Sequence, residues 1–286
     1  MSIIVSNISE YLDGIKRCQT STGKVQFAQS NDYYRGEANS EWKLQPSVFR
    51  ELGNHERYDE YRLIKMATAQ SWSLVRSADS FLERLIMFQH YGLKTRLYDV
   101  TSNPLVALFF AVSGESDKNG RVIYGHCNNN YNNDIAEIVA RIISTTDKEW
   151  MGGPMFYIDQ WLTSINHGKD LDILRFEDLL CEPLYVYPPL NSPRISAQNG
   201  AFLMAPLLVR KETGLDYLTD FEFSQGKDDS FFDAEEIIIE SRNKSAILEE
   251  LKLIGIDESS MFPEMEHVMR SVNSNCTIQQ TNHNLL

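Results

Sequence analysis

Cysteine is scarce in this chain. Cys18, Cys127, Cys181 and Cys276 lie far apart, and none belongs to a Cys-x-x-Cys pair. That argues against a disulfide framework or a thiolate zinc site and fits a reducing cytosol. Long apolar runs are missing as well, since no segment approaches the roughly 20 residues that span a bilayer. The opening stretch MSIIVSNISEYL has no basic region leading into an apolar one, so we expect a cytoplasmic protein with no membrane partner. His126 and His167 stand without a partner at ligand spacing, and no metal is expected. Positive charge is in deficit: 27 Lys and Arg face 40 Asp and Glu, a net charge of -13. Passive binding to nucleic acid would be opposed by phosphate repulsion, although a local basic groove can override the global sign.

What is present is a pivot. In residues 89 to 112, QHYGLKTRLYDVTSNPLVALFFAV, a polar half runs straight into an apolar half. Ser, Thr and Asn are good N-caps and Pro is tolerated in the first helical turn, so a helix is predicted to begin near Ser102 or Asn103. Leu105, Ala107, Leu108 and Ala111 share one face with Val106 and Phe110 beside them, the pattern of a helix buried nearly all round. The polar groups ahead of it either satisfy one another, with Arg96 bridging Asp99, or leave the helix N-terminus open to an anion.

The rest of the chain alternates helix and strand signals. Ser6 or Asn7 caps an amphipathic helix through Tyr11, Leu12 and Ile15. A short strand ends in Tyr33-Tyr34-Arg35-Gly36. There Arg35 is either an ion-pair partner of Glu37 or Glu41 or a ligand group, and Gly36 lets a ligand or a second backbone come close. Helical spacing between residues 54 and 89 gives two helices, and strands are predicted near 121–125, 184–187, from 201, and at 237–239. A helix over Lys244 to Ile254 ends at Gly255 as a left-handed cap. The class of 150–180 is open.

Tyr34-Arg35-Gly36, Gln89-His90-Tyr91-Gly92, Thr95-Arg96-Leu97, Asp99, Thr101-Ser102-Asn103-Pro104, Ala107-Leu108-Phe109-Phe110-Ala111 and Arg194-Ile195-Ser196-Ala197-Gln198-Asn199-Gly200-Ala201-Phe202 together resemble the FRG domain family, named for an aromatic-Arg-Gly motif. The likeness divides the chain into an N-terminal helix over 1–24, an FRG-like domain over 25–270 and a polar tail over 271–286. A more distant likeness is to ADP-ribosyltransferases of the Arg-Ser-Glu type. It implies an α+β fold with a split antiparallel sheet and an N-terminal helical part.

By that resemblance Arg35, Ser102 and Gln198 are the catalytic positions. Tyr34, Arg35, Gly36, His90, Tyr91, Thr101, Ser102 and Phe109 hold NAD, which is a substrate, and Arg96, Asp99 and Arg194 support them. In such enzymes the Arg grips the pyrophosphate, the Ser holds the nicotinamide end and a Glu orients a ribose hydroxyl. Here Gln198 takes the place of that acid. Gln can hydrogen-bond a hydroxyl but has no charge to offer an oxocarbenium-like transition state. Glu37, Asp99 and Glu240 are the carboxylates available instead. The implied function is an NAD-dependent ADP-ribosyltransferase, an intracellular toxin or antiviral defence effector that modifies RNA, DNA or protein and is restrained by an antitoxin partner. The alternatives are a non-catalytic nucleotide- or partner-binding module and an NAD glycohydrolase.

Overall fold

The apolar half of the pivot becomes the helix around which a sheet is laid. In a computed structural model the described residues are 3–21, 31–50, 58–76, 78–127, 132–145, 178–188, 193–211, 214–217 and 234–263. The polar tail, most of the 150–180 segment and His167 lie outside them. In chain order the elements are β1 (Ile3–Val5), α1 (Ile8–Ser21), β2 (Asn31–Glu37), α2 (Glu60–Gln70), α3 (Trp72–Val75), α4 (Phe81–His90), β3 (Leu97–Thr101), α5 (Pro104–Val112), β4 (Gly120–Cys127) and α6 (Asn132–Thr145). They continue with β5 (Leu184–Val186), α7 (Pro193–Ala197), β6 (Gly200–Met204), β7 (Leu208–Lys211), β8 (Gly214–Tyr217), β9 (Ala234–Ile239), α8 (Lys244–Leu253) and α9 (Glu258–Met261).

The protein is mixed α and β, with an open and mostly antiparallel sheet. Among the described residues the sheet has seven strands in the order β1-β9-β4-β2-β3-β6-β5, and β7 and β8 form a separate hairpin. Within the described sheet the edge pair β1 and β9 is parallel and the other pairs are antiparallel. β1 carries no alternation long enough to be read as a strand, which is why the sequence pattern passes over it; pairing with β9 creates it. β2 pairs with β4 along its whole length, from Asn31 opposite Cys127 to Glu37 opposite Arg121, and β3 pairs with β6 from Leu97 to Thr101. Between β2 and β3 there is a single pair, Tyr34 opposite Thr101. The sheet is therefore two sections joined at one point.

Residues paired across strands point to the same side and neighbours along a strand alternate. Tyr34, Thr101, Leu97 and Phe202 accordingly share one face. The described core helices α1, α4, α5, α6 and α8 lie on it. Leu97, Phe202 and Met204 pack against α4 and α6, with Leu85, Ile86, Val139 and Ile143 among the buried residues. Tyr34, Val122, Ile237 and Ile239 pack against α1, α5 and α8, with Tyr11, Ile15, Leu108, Ala111, Ile247 and Leu251. α1 is thus part of the same core as the strands. Its N-cap is Asn7, whose Oδ1 accepts from the Glu10 amide at 2.9 Å, while Ser6 Oγ donates to Glu10 Oε2 at 2.7 Å.

α5 begins where its local chemistry dictates. Asn103 Oδ1 accepts from the Leu105 amide at 2.9 Å and Pro104 occupies the first turn. The helix then sits directly on the backbones of β2 and β4. A Cβ on Gly36 would lie 1.8 Å from the Ala107 carbonyl oxygen, and one on Gly120 would lie 2.1 Å from that of Ala111. Small residues on both sides make the close approach possible, with Ala107 and Ala111 one helical turn apart. Gly36 therefore serves a second backbone. Replacing Gly36 with Ala forces helix and strand apart and should destabilise the protein by at least about 1 to 3 kcal/mol, the usual range for overpacking, read as a lower urea midpoint; an unchanged midpoint would rule out this packing.

Candidate functional site

The cavity lies in the seam where β2 and β3 part. Past the Tyr34–Thr101 pair, Gly36 and Asp99 face each other without a ladder, and the Arg35 guanidinium bridges the opening by donating from Nη1 to the Asp99 carbonyl oxygen at 2.7 Å. A cavity of about 320 Å³ opens here, a size that suits a small organic ligand. Its wall combines Arg35, Gly36, Asp99, Thr101, Gln89 and His90 with Phe110, Phe202, Arg194 and Gln198.

Arg35 is held from three sides. Its Nε donates to Glu37 Oε1 at 3.1 Å, its carbon Cζ sits 3.8 Å above the Tyr98 ring, and the Asp99 carboxylate lies 3.9 Å from Nη1. Burial alone would lower the guanidinium's pKa; Tyr98, Glu37 and Asp99 outweigh it and leave the pKa above its ordinary value. Nη2 donates to nothing among the described residues. Of the two readings of Arg35 from the sequence, the ion pair with Glu37 is present; with Nε on Glu37 and Nη1 on the Asp99 carbonyl, Nη2 is the nitrogen left uncommitted among the described residues.

Behind Arg35 is a buried polar network. Glu37, 2% exposed, accepts from Arg35, from Tyr98 Oη at 2.8 Å, and from Arg121 Nε and Nη2 at 3.0 and 2.7 Å. Arg121 reaches on to Glu236 at 3.0 Å. Burial holds the Tyr98 phenol above its ordinary pKa, with Arg35 opposing and Glu37 reinforcing. Arg121 and Glu236 carry no local signal of this role. Arg121 meets both Glu37 and Glu236 only because β4 lies between β2 and β9.

Three sequence-predicted positions sit elsewhere. Ser102 is exposed and does not line the cavity; its amide and hydroxyl both approach the Asn199 carbonyl oxygen, at 3.1 and 3.5 Å. Tyr91 is 79% exposed, beyond the end of α4, and Phe109 is 3% exposed in the core. The aromatic wall is Phe110 instead. Phe110 falls seven residues after Asn103, two turns on, and so shares its face with the cap, whereas Phe109 is turned inward by about 100°.

Arg96 also leaves the site. It is 1% exposed and bonds Glu60 through Nη2 at 2.6 Å and the Pro206 carbonyl through Nη1 at 2.8 Å. It ties α2 to the end of β6 and does not bridge Asp99. Asp99 is held by Gln89, whose Nε2 donates to Oδ1 at 3.0 Å, and Gln89 is in turn bonded by the Thr95 hydroxyl. Thr101 does line the cavity, but its hydroxyl donates to the Gln198 carbonyl at 2.7 Å and accepts from the Asn103 amide at 3.0 Å. Gln198 sits in the turn between α7 and β6, with its amide nitrogen on the Met261 carbonyl at 3.0 Å. The Gly92 of the Gln89-His90-Tyr91-Gly92 run has φ of 91° and caps α4 in the left-handed region; Gln89 and His90, in the last turn of that helix, line the cavity.

The segment from the aromatic-Arg-Gly strand through the buried helix to the start of β4 is therefore one structural unit that builds most of the cavity. Residues 30–120 match the FRG domain family. No curated protein and no solved structure matches the chain. The FRG segment supplies Arg35, Asp99, Thr101 and Phe110, while Arg194, Gln198 and Phe202 come from beyond it. Among the described residues no group of His, Cys, Asp and Glu could hold a metal ion, and no helix is long and apolar enough to cross a membrane.

Truncating Glu37 leaves Arg35 and Arg121 without their shared anion. Glu37→Ala should cost about 3 to 5 kcal/mol, as when one partner of a buried ion pair is removed, measured by chemical denaturation; a loss below about 1 kcal/mol, the range of an exposed pair, would contradict this network.

Proposed function

We propose that the seam cavity binds NAD and that the protein transfers its ADP-ribose to RNA, DNA or protein, acting inside a cell as a toxin or antiviral effector under an antitoxin's restraint. The observation that carries this reading is the convergence of Arg35, Asp99, Thr101 and Gln198, from three distant stretches of chain, on one cavity. Arg35, fixed by Glu37 and stacked on Tyr98, presents the uncommitted Nη2 of a permanently charged guanidinium to the pyrophosphate. Phe110 and Phe202 are the apolar walls for the nicotinamide end, and His90 can hydrogen-bond a ribose hydroxyl.

In the reaction the bond between the nicotinamide nitrogen and ribose C1′ breaks, and its electron pair leaves on neutral nicotinamide. The acceptor's nucleophilic atom bonds to C1′ and its proton passes to solvent. Positive charge grows on the ribose as the bond breaks, and a fixed carboxylate beside it lowers the barrier. Gln198 cannot supply that charge. Asp99 can: among the described residues lining the cavity it is the carboxylate that remains exposed, whereas Glu37 is buried behind Arg35 and Glu240 pairs with Arg242 at 2.6 Å, away from the cavity.

A second reading, a binding module without chemistry, is favoured by the Thr101 hydroxyl and the Gln198 amide being spent on backbone partners. Incubation with NAD labelled in its adenylate, in cell lysate, separates the two. The transferase reading expects labelled RNA, DNA or protein, lowered about 100-fold in Arg35→Ala, the scale for losing one charge-stabilising group. NAD left intact in every lysate sinks it in favour of the binding module, and nicotinamide released with no labelled macromolecule indicates a glycohydrolase. Asp99→Asn should lower nicotinamide release about 100-fold while NAD affinity is kept. Wild-type turnover in that variant would remove Asp99 from the chemistry.

A further inference from the structure

We propose that Arg194 is a direct ligand group, and that with Arg35 it forms a seat for an anion bearing two linked phosphates. Arg194 lies on α7 with its guanidinium carbon 4.9 Å from the Phe262 ring, and it lines the cavity. Among the described residues it has neither a hydrogen-bond acceptor nor a carboxylate partner. Arg96 and Arg121, by contrast, each hold a buried carboxylate. A partly buried guanidinium in a chain with 40 acidic residues ordinarily finds one, because its donors are costly to leave unmet away from water. Phe262 holds the planar group in place by stacking without using any of its N–H donors. The arrangement leaves those donors available to whatever enters the cavity.

The charge of the wall agrees. Arg35 and Arg194 are set against one exposed carboxylate, Asp99, so the cavity favours an anion in a molecule whose net charge is -13. Position then narrows the class. Arg35 enters from β2 and Arg194 from α7, the helix that leads into β6, so the two guanidinium groups reach the cavity from elements on either side of β3. A single phosphate can satisfy one fork, whereas a diphosphate can meet both. This inference rests on the NAD reading only for the identity of the organic groups at either end of the diphosphate.

Calorimetric titration with inorganic pyrophosphate, inorganic phosphate and ADP-ribose tests it. Wild-type protein is expected to bind pyrophosphate and ADP-ribose, at least about 10-fold more tightly than phosphate, with affinity falling as salt rises. Arg194→Ala should weaken both diphosphate ligands at least about 10-fold, and Arg194→Lys should recover part of the loss, since a point charge replaces the planar fork. The melting temperature of Arg194→Ala should match wild type, because among the described residues the side chain makes no hydrogen bond. Unchanged affinity in Arg194→Ala, equal affinity for phosphate and pyrophosphate, no binding of either diphosphate ligand, or a fall in affinity accompanied by a comparable fall in melting temperature overturns the proposal. Arg194-dependent binding without NAD turnover upholds the seat and removes the transferase reading. Turnover whose KM is untouched in Arg194→Ala does the reverse.

Discussion

Everything at the site follows from β2 and β3 sharing one residue pair. A sheet that zipped together would bury the Asp99 carbonyl in a ladder and leave no space between Gly36 and Asp99. Here the Arg35 guanidinium makes the bond that a backbone amide would otherwise make, so the sections stay linked while a cavity opens between them. The same side chain that closes the gap electrostatically is the one that lines it.

Such an arrangement needs an anion on the far side, because a guanidinium withdrawn from water is unfavourable unless it is paired. Glu37 fills that role two residues along the strand, on the same face as Arg35 by strand alternation. It is shared with Tyr98 and with Arg121, which in turn reaches Glu236. The network runs across β3, β2, β4 and β9. It couples the orientation of Arg35 to the assembly of the sheet, so the cation is fixed before any ligand arrives.

The sequence pattern reads well where the physics is local. Asn103 and Pro104 announce the start of α5, the apolar run announces its burial, and Gly255 ends α8. Alternation finds β6 and most of β2 and β4. It fails where a decision depends on a distant partner. Arg96 and Asp99 are three residues apart and of opposite charge, yet Arg96 finds Glu60, because strand geometry puts residues 96 and 98 on one side and 99 on the other. Ser102 and Thr101 are chemically alike, but only Thr101 faces the cavity, since it is the residue paired with Tyr34. Phe109 and Phe110 are adjacent and identical in type; helical phase, set by how α5 lies on Gly36 and Gly120, turns one inward and the other toward the cavity.

By itself the sequence determined the elements and the chemical stock of the site: an aromatic-Arg-Gly strand, a capped apolar helix, and a set of arginines, amides and hydroxyls spaced along the chain. Capping, periodicity and glycine conformational freedom act over a few residues, and a few residues are enough to read them. Only the tertiary structure decided which of those groups meet. Burial forces each charged side chain to take the nearest partner in space, and the nearest partner in space is set by strand order. That competition spent Arg96 on Glu60 and Gln198 on a carbonyl, set Asp99 at the cavity wall, and left Arg194 there with no side-chain acceptor among the described residues.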